Sequence, residues 1–184
     1  MSDPGPAILF DIDGTLVDTN YFHTLAWWRA LRDAGEDIPM AEIHPLIGMG
    51  SDKMLDRLFG EERPGMSDAH SAQFEPFRRE IRAGEEITDL IHGGLVAASK
   101  PAPDIFQTAL DKLGLDPGRT MVVGDTRWDL EAASSAGLDC VGVLTGGTTR
   151  NHLEEAGAVA VYRNVAELLS ELDASPLARL VERR

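Results

Sequence analysis

Five residues carry most of the chemistry that this sequence could perform. Asp11 and Asp13 stand two positions apart, directly after the apolar run Ala7-Ile8-Leu9-Phe10. Asp125 and Asp129 follow a second apolar run that ends in Val122-Val123-Gly124. If the two runs are neighbouring strands of one parallel sheet, their carboxylates meet above the strand ends, where such sheets bind ligands. Carboxylates crowded together raise one another's pKa. A hard divalent cation relieves that repulsion, and Mg²⁺ suits a site of a few carboxylates plus water and phosphate oxygens. Each pair taken alone also fits a plainer reading, with Asp13-Gly14 as a turn and Asp125 and Asp129 as helix-entry residues. The fifth residue, Lys100, precedes Pro101 and Pro103. Two prolines stiffen the approach to a helix starting near Asp104 and could aim one lysine at one point. Alone, Lys100 fits an exposed surface lysine equally well.

The elements that must position these residues follow from periodicity. Residues 7–10 are continuously apolar, as expected of a strand buried on both faces. About sixty residues after Asp18 read as helical. Phe22, Leu25, Ala26 and Leu31 fall near helical spacing, and Ser51 opens a helix carrying Met54, Leu55 and Leu58. A weaker helix over 67–82 is interrupted by Pro76. Trp27 and Trp28 read as packing between helices. From Asp104 onward strands and helices alternate, with strands at 120–123, 140–144 and 159–162, which predicts βαβ units and a parallel sheet. Residues 176–184 read as a frayed basic tail. The five histidines show no ligand spacing and read as structural or surface residues.

Composition narrows the class. The chain has 184 residues, 17 Lys plus Arg and 31 Asp plus Glu, giving a formal charge of −14. Such acidity disfavours nucleic acid and anionic membrane surfaces as partners. No apolar stretch is long enough for a membrane span, and the first residues lack the features of a signal peptide. One cysteine, Cys140, rules out an internal disulfide. The expectation is a cytoplasmic protein, monomer or homodimer, acting on a small molecule.

Read in order, the motifs resemble those of the haloacid dehalogenase-like superfamily. Asp11-Ile12-Asp13-Gly14-Thr15 is similar to its first motif, and Lys100-Pro101-Ala102-Pro103-Asp104 to its third. Val122-Val123-Gly124-Asp125-Thr126-Arg127-Trp128-Asp129 is similar to its fourth. The resemblance implies an α/β, Rossmann-like parallel sheet with helices on both faces. It implies a core of residues 1–18 and 83–184 and an inserted helical cap at 19–82. It further implies an Mg²⁺-dependent phosphomonoester hydrolase of the phosphoglycolate phosphatase-like branch, working through an aspartyl-phosphate. Asp11 would be the nucleophile, Asp13 the general acid and base, and Lys100 the charge-balancing cation. The metal would be held by Asp11, the backbone carbonyl of Asp13 and Asp125, with Asp129 a ligand or a residue behind one. Gly14 and Thr15 would let the backbone turn toward the phosphate. Residues 47–53 resemble the cap loop that faces the site, with Lys53 as its substrate contact. Other polar cap candidates are His23, Arg29 and Arg57. An aspartate at position 13 disfavours carbon–halogen chemistry. A phosphomutase, or an impaired relative with a binding role, is the alternative.

One family element is out of place. The second motif, a Ser or Thr ending a second strand, has no counterpart between Arg82 and Ser99. About one βα unit, roughly 30–45 residues, is expected to be missing near 82/83. Thr88, Ser99, Thr126 and Thr145 are conceivable phosphate-contacting hydroxyls, but none occupies the matching position.

Overall fold

The computed structural model describes residues 5–61, 63–79, 81 and 99–182. The expected segment junction at 82/83, and Thr88, lie outside the described residues. Four strands, β1 (Ala7–Phe10), β2 (Thr120–Gly124), β3 (Asp139–Val143) and β4 (Ala160–Tyr162), form one parallel sheet in the order β1-β2-β3-β4. Phe10 pairs with Val123 in the β1–β2 register, and the Asp11 amide continues the ladder to the Val123 carbonyl at 2.9 Å. This register delivers Asp11 and Asp125 to neighbouring points at the same sheet edge. The α/β class expected from the sequence is the class observed.

Alternate residues of the strands feed two cores, because successive side chains point to opposite faces. On one face Val122, Cys140 and Val161 pack with Phe106 and Leu110 of α5 (Asp104–Leu113), Leu130 of α6 (Arg127–Ser135) and Leu153 of α7 (Arg150–Glu155). On the other, Met121, Val123, Val141 and Val143 meet Leu168 of α8 (Val165–Ser170), then Leu177 and Leu180. The last of these sits on α9 (Ala178–Glu182). The C-terminal stretch is therefore not a frayed tail up to residue 182. Its two leucines, 3% and 5% exposed, bury against the sheet.

The cap is helical, as its periodicity predicts. It comprises α1 (Asn20–Asp33), α2 (Met40–Ile43), α3 (Ser51–Phe59) and α4 (Met66–Phe74). The helix expected over 67–82 ends at Phe74, and a 3₁₀ turn over Glu75–Arg79 contains Pro76. Proline has no amide hydrogen to continue an α-helical ladder. Trp27, Leu31, Ile43 and Met54 form a separate apolar cluster that Trp128 of the core joins. Trp27 packs between helices as expected, and it also borders the cavity over the sheet.

β1 departs from the sequence expectation. Its apolar run predicts burial on both faces, yet Ile8 and Phe10 are 38% and 39% exposed. Among the described residues β1 pairs only with β2, at one end of the four described strands. No helix among the described residues is long and apolar enough to cross a membrane.

Candidate active site

The site is built at the C-terminal ends of β1 and β2. Glycines bring the carboxylates close. Gly14 has φ +85°, and a Cβ there would collide with Asn20 and Asp125. Gly14 therefore shapes the turn rather than lining the cavity. Thr15 faces the same carboxylate, and its hydroxyl donates to Asp125 Oδ1 at 2.9 Å. Asn20 donates to the other oxygen, Oδ2, at 2.8 Å. Asp125 is fully buried between them.

Asp11, Asp125 and Asp129 each offer a carboxylate oxygen within 4.8 Å of the others. Lys100 sits among them, with Nζ 2.5 Å from Asp11 Oδ1 and 2.6 Å from Asp129 Oδ1. The second oxygen of Asp129 accepts from the amide and hydroxyl of Thr126 at 3.0 and 2.7 Å. That exchange caps α6 and fixes the orientation of Asp129. Thr126 is thus committed to Asp129. Ser99 lines the cavity and donates to Asp52 of the cap.

The electrostatics follow from burial and crowding. Burial, with Asp129 and Asp11 nearby, raises Asp125 to about 8. Burial also raises Asp11, to about 6, although the Lys100 ammonium pulls the other way. Burial disfavours the charged form of Lys100, but Asp11 and Asp129 more than offset this and hold it protonated. An all-oxygen donor set in which Asp11 and Asp125 resist ionisation fits a hard divalent cation.

Asp13 stands apart from this cluster. Burial alone would raise it, yet hydrogen bonding and charge from His23, with help from Thr19, hold it below the usual carboxylate range. Thr19 donates to Asp13 Oδ1 at 2.6 Å, and His23 Nε2 lies 3.4 Å from the same oxygen. His23 Nδ1 in turn meets His70 Nε2 at 3.2 Å, and His70 stacks on Trp27. His23 and His70 both line the cavity. Both are therefore site residues: His23 is one of the polar cap candidates the sequence offers, whereas the sequence marks His70 only as a structural or surface group. The available signal was helical spacing: Thr19, Asn20 and His23 share one face at the start of α1.

The cap closes directly over the aspartates. Its loop amide at Gly50 donates to the Lys100 carbonyl at 3.2 Å, and Trp128 Nε1 donates to the Pro45 carbonyl at 3.2 Å. Gly48, at φ +89°, lies against Thr126 so closely that a Cβ would strike it. The cavity beneath the cap is half open to solvent and has a volume of about 310 Å³. Lys53 does not line it; this exposed side chain borders a separate groove with Asp56 and Arg63. Arg29 lies over Phe77 and Arg57 over Trp128.

Comparison with known proteins agrees with this architecture. Residues 6–98 match the model of the haloacid dehalogenase-like hydrolases, and residues 97–171 match that of a related hydrolase-like family. The chain belongs to the haloacid dehalogenase-like hydrolases. It is 33% identical to a phosphoglycolate phosphatase of Rhodospirillum rubrum, with 88% of each chain covered. That alignment runs over 214 residues, more than the 184 of this chain, so the relative carries residues without a counterpart here. A hydrolase from Pseudomonas syringae superposes with a TM-score of 0.85 at 28% identity, covering 93% of this chain and 99% of that one. CbbY from Rhodobacter sphaeroides, as a mutant in complex with xylulose-1,5-bisphosphate, superposes with a TM-score of 0.69 at 26% identity. It covers 90% of this chain and 96% of that one.

Proposed function

We propose that the protein is a phosphomonoester hydrolase that works through an aspartyl-phosphate on Asp11 and uses Mg²⁺. The observation that carries this reading is the Lys100 ammonium held between Asp11 and Asp129, inside a cluster of three carboxylates. Asp11, Asp125 and Asp129, with the carbonyl of Asp13, would hold the cation. When bound, the cation neutralises charge on the phosphoryl oxygens and permits a carboxylate to approach them.

The chain's own residues supply the remaining steps. An Asp11 oxygen attacks phosphorus in line, and the bond from phosphorus to the ester oxygen breaks. Asp13, once it has taken a proton from solvent, gives it to the departing oxygen, so the leaving group departs as an alcohol. Water then attacks phosphorus, Asp13 takes a proton from it, and the bond from phosphorus to Asp11 breaks to release phosphate. Lys100 balances charge on Asp11 and on the phosphoryl group throughout. The cap overlies the aspartates and narrows the access of solvent to them.

Hydrolysis of p-nitrophenyl phosphate by the purified protein with MgCl₂ tests the reading. Turnover that is lost with chelator and lost in Asp11→Asn supports it. Turnover surviving in Asp11→Asn, or none in the wild type, overturns it.

A further inference from the structure

Two helices of the cap interleave their side chains beside Asp13. Thr19, His23 and Trp27 follow one another at one-turn spacing along α1 from its N-cap, and His70 and Phe74 stand one turn apart on α4. His23 lies flat on Phe74, with ring centroids 4.0 Å apart and planes 4° from parallel. Trp27 backs His70 in the same way at 4.4 Å. These stacks set the planes of both imidazoles. A phenyl ring in either place would stack as well, so stacking does not decide which edge of a ring faces which neighbour.

The ring nitrogens decide it. On one side of the His23 ring, Nε2 faces Asp13 Oδ1 at 3.4 Å, and on the other Nδ1 meets His70 Nε2 at 3.2 Å. Asp13 Oδ1 also accepts from the Thr19 hydroxyl at 2.6 Å. An ionised carboxylate offers only lone pairs, so its contact with His23 requires a hydrogen on Nε2. In a neutral His23 ring Nδ1 is then an acceptor, and the hydrogen of the 3.2 Å contact belongs to His70 Nε2. In a protonated ring that hydrogen belongs to His23 Nδ1, and His70 accepts. Both states turn the same edge of His23 to Asp13. A ring turned over about its Cβ–Cγ bond would bring carbon to both contacts and lose both hydrogen bonds. Burial, with His23 beside it, pushes His70 down to about 4. Near neutral pH it therefore keeps one N–H and one bare nitrogen, and it can play either part.

We propose that His70 is a positioning residue: through Nε2 it holds the His23 imidazole in the orientation that presents Nε2–H to Asp13, and so keeps the Asp13 carboxyl aimed at the departing oxygen. This role rests on the reading of Asp13 as general acid and base given above. His70 exerts it through His23 and not by touching the reacting atoms.

Two variants separate the nitrogen from the ring. His70→Phe keeps a ring to stack on Trp27 and removes both nitrogens. His70→Gln keeps a side-chain N–H that can reach His23 Nδ1. Phenyl phosphate and p-nitrophenyl phosphate are probes of similar shape, and phenyl phosphate releases the more basic oxygen. With MgCl₂, His70→Phe should lower kcat on phenyl phosphate about tenfold, the scale for losing a residue that orients an active group. On p-nitrophenyl phosphate the loss should stay within about threefold, because that leaving oxygen needs little protonation. KM should change little, and His70→Gln should recover most of the loss. Equal losses on the two probes, a change confined to KM, or no recovery in His70→Gln overturns the role.

A second measurement needs neither turnover nor a variant. With isotope-labelled histidine, the wild type should show a nitrogen–nitrogen scalar coupling between His23 Nδ1 and His70 Nε2 across their hydrogen bond, and its absence overturns the proposal. If the wild type hydrolyses neither probe, the phosphatase reading falls, while the coupling still decides whether His70 holds His23.

Discussion

His23 and Asp13 face each other across the boundary between cap and core, with Nε2 3.4 Å from Oδ1. The contact joins the first turns of α1 to the loop after β1. It couples the proposed general acid to the closed cap, because His23 also meets His70 of α4. Removing the imidazole frees Asp13 from a partner that lowers its pKa. The pKa change alone would favour the protonated acid, so the loss comes from orientation: without the imidazole that holds Oδ1, His23→Ala should lower kcat by about 10²-fold on alkyl phosphates, the scale of general acid–base assistance. The loss should be smaller on p-nitrophenyl phosphate, whose leaving oxygen needs little protonation. Equal losses on both substrates would argue for a merely structural role.

Lys100 has a double burden. It neutralises Asp11 and Asp129 in the resting protein, and it would balance phosphoryl charge during transfer. Lys100→Met should lower kcat by about 10²–10³-fold. It should also destabilise the metal-free protein by about 3–5 kcal/mol, because two buried carboxylates lose their ion-pair partner. Added MgCl₂ should restore part of the stability but not the rate. Chemical denaturation with and without MgCl₂ reads both effects.

Much of this site was legible from residue type and spacing. Asp11, Asp125 and Asp129 converge, and Lys100 reaches them, because each follows or approaches a strand end that could be read from a short apolar run. The residues missed lie on α1 and α4. Asn20 and His70 act through tertiary contacts, and His23, although a polar cap candidate, shows its partners Asp13 and His70 only once the cap is folded over the core. Lys53 failed in the opposite direction. Its loop closes on the site, but its position on α3 turns the side chain to solvent. The fold shows the same division. β2 reads as buried and is buried throughout. β1 has the same apolar composition, yet its neighbours leave Ile8 and Phe10 exposed. Hydrophobicity records what a strand can bury, whereas the surrounding elements decide what it does bury.

Metal binding should be linked to pH. Burial holds Asp11 and Asp125 up near 6 and 8 in the folded protein, against an ordinary aspartate value of 3.8. Between 3.8 and these values the folded state holds protons that the unfolded chain has released. The stability contribution is therefore fully present below the unfolded pKa and is lost as pH rises through the folded ones. In chelator, Tm should fall between about pH 5 and pH 8. Mg²⁺ needs ionised ligands, so its stabilising shift should grow over the same interval. Thermal denaturation at several pH values, with chelator or MgCl₂, checks this. A magnesium shift that does not change with pH would count against these carboxylates as its ligands.

Cap closure should depend on the close approach of Gly48 to Thr126. A methyl group at Gly48 would strike Thr126, and φ +89° disfavours any side chain there. Because Thr126 also fixes Asp129, the disturbance reaches the carboxylate cluster. Gly48→Ala should raise KM and lower kcat together, as expected when a closing element is displaced. A change confined to Tm would place Gly48 in cap stability alone.

The C-terminal helix provides a test independent of catalysis. Leu177 and Leu180 lie in the same core as Val123 of β2, the strand that leads into Gly124 and Asp125. Both are almost completely buried, at 3% and 5% exposure. Leu177→Ala and Leu180→Ala should each cost about 2–5 kcal/mol, the range for removing buried leucine side chains. Neither side chain lines the active-site cavity, so kcat of the folded variants should stay near that of the wild type at low temperature. Denaturant midpoints measure the first expectation and assays well below Tm the second. Variants as stable as the wild type would mean that residues 176–182 do not pack as described.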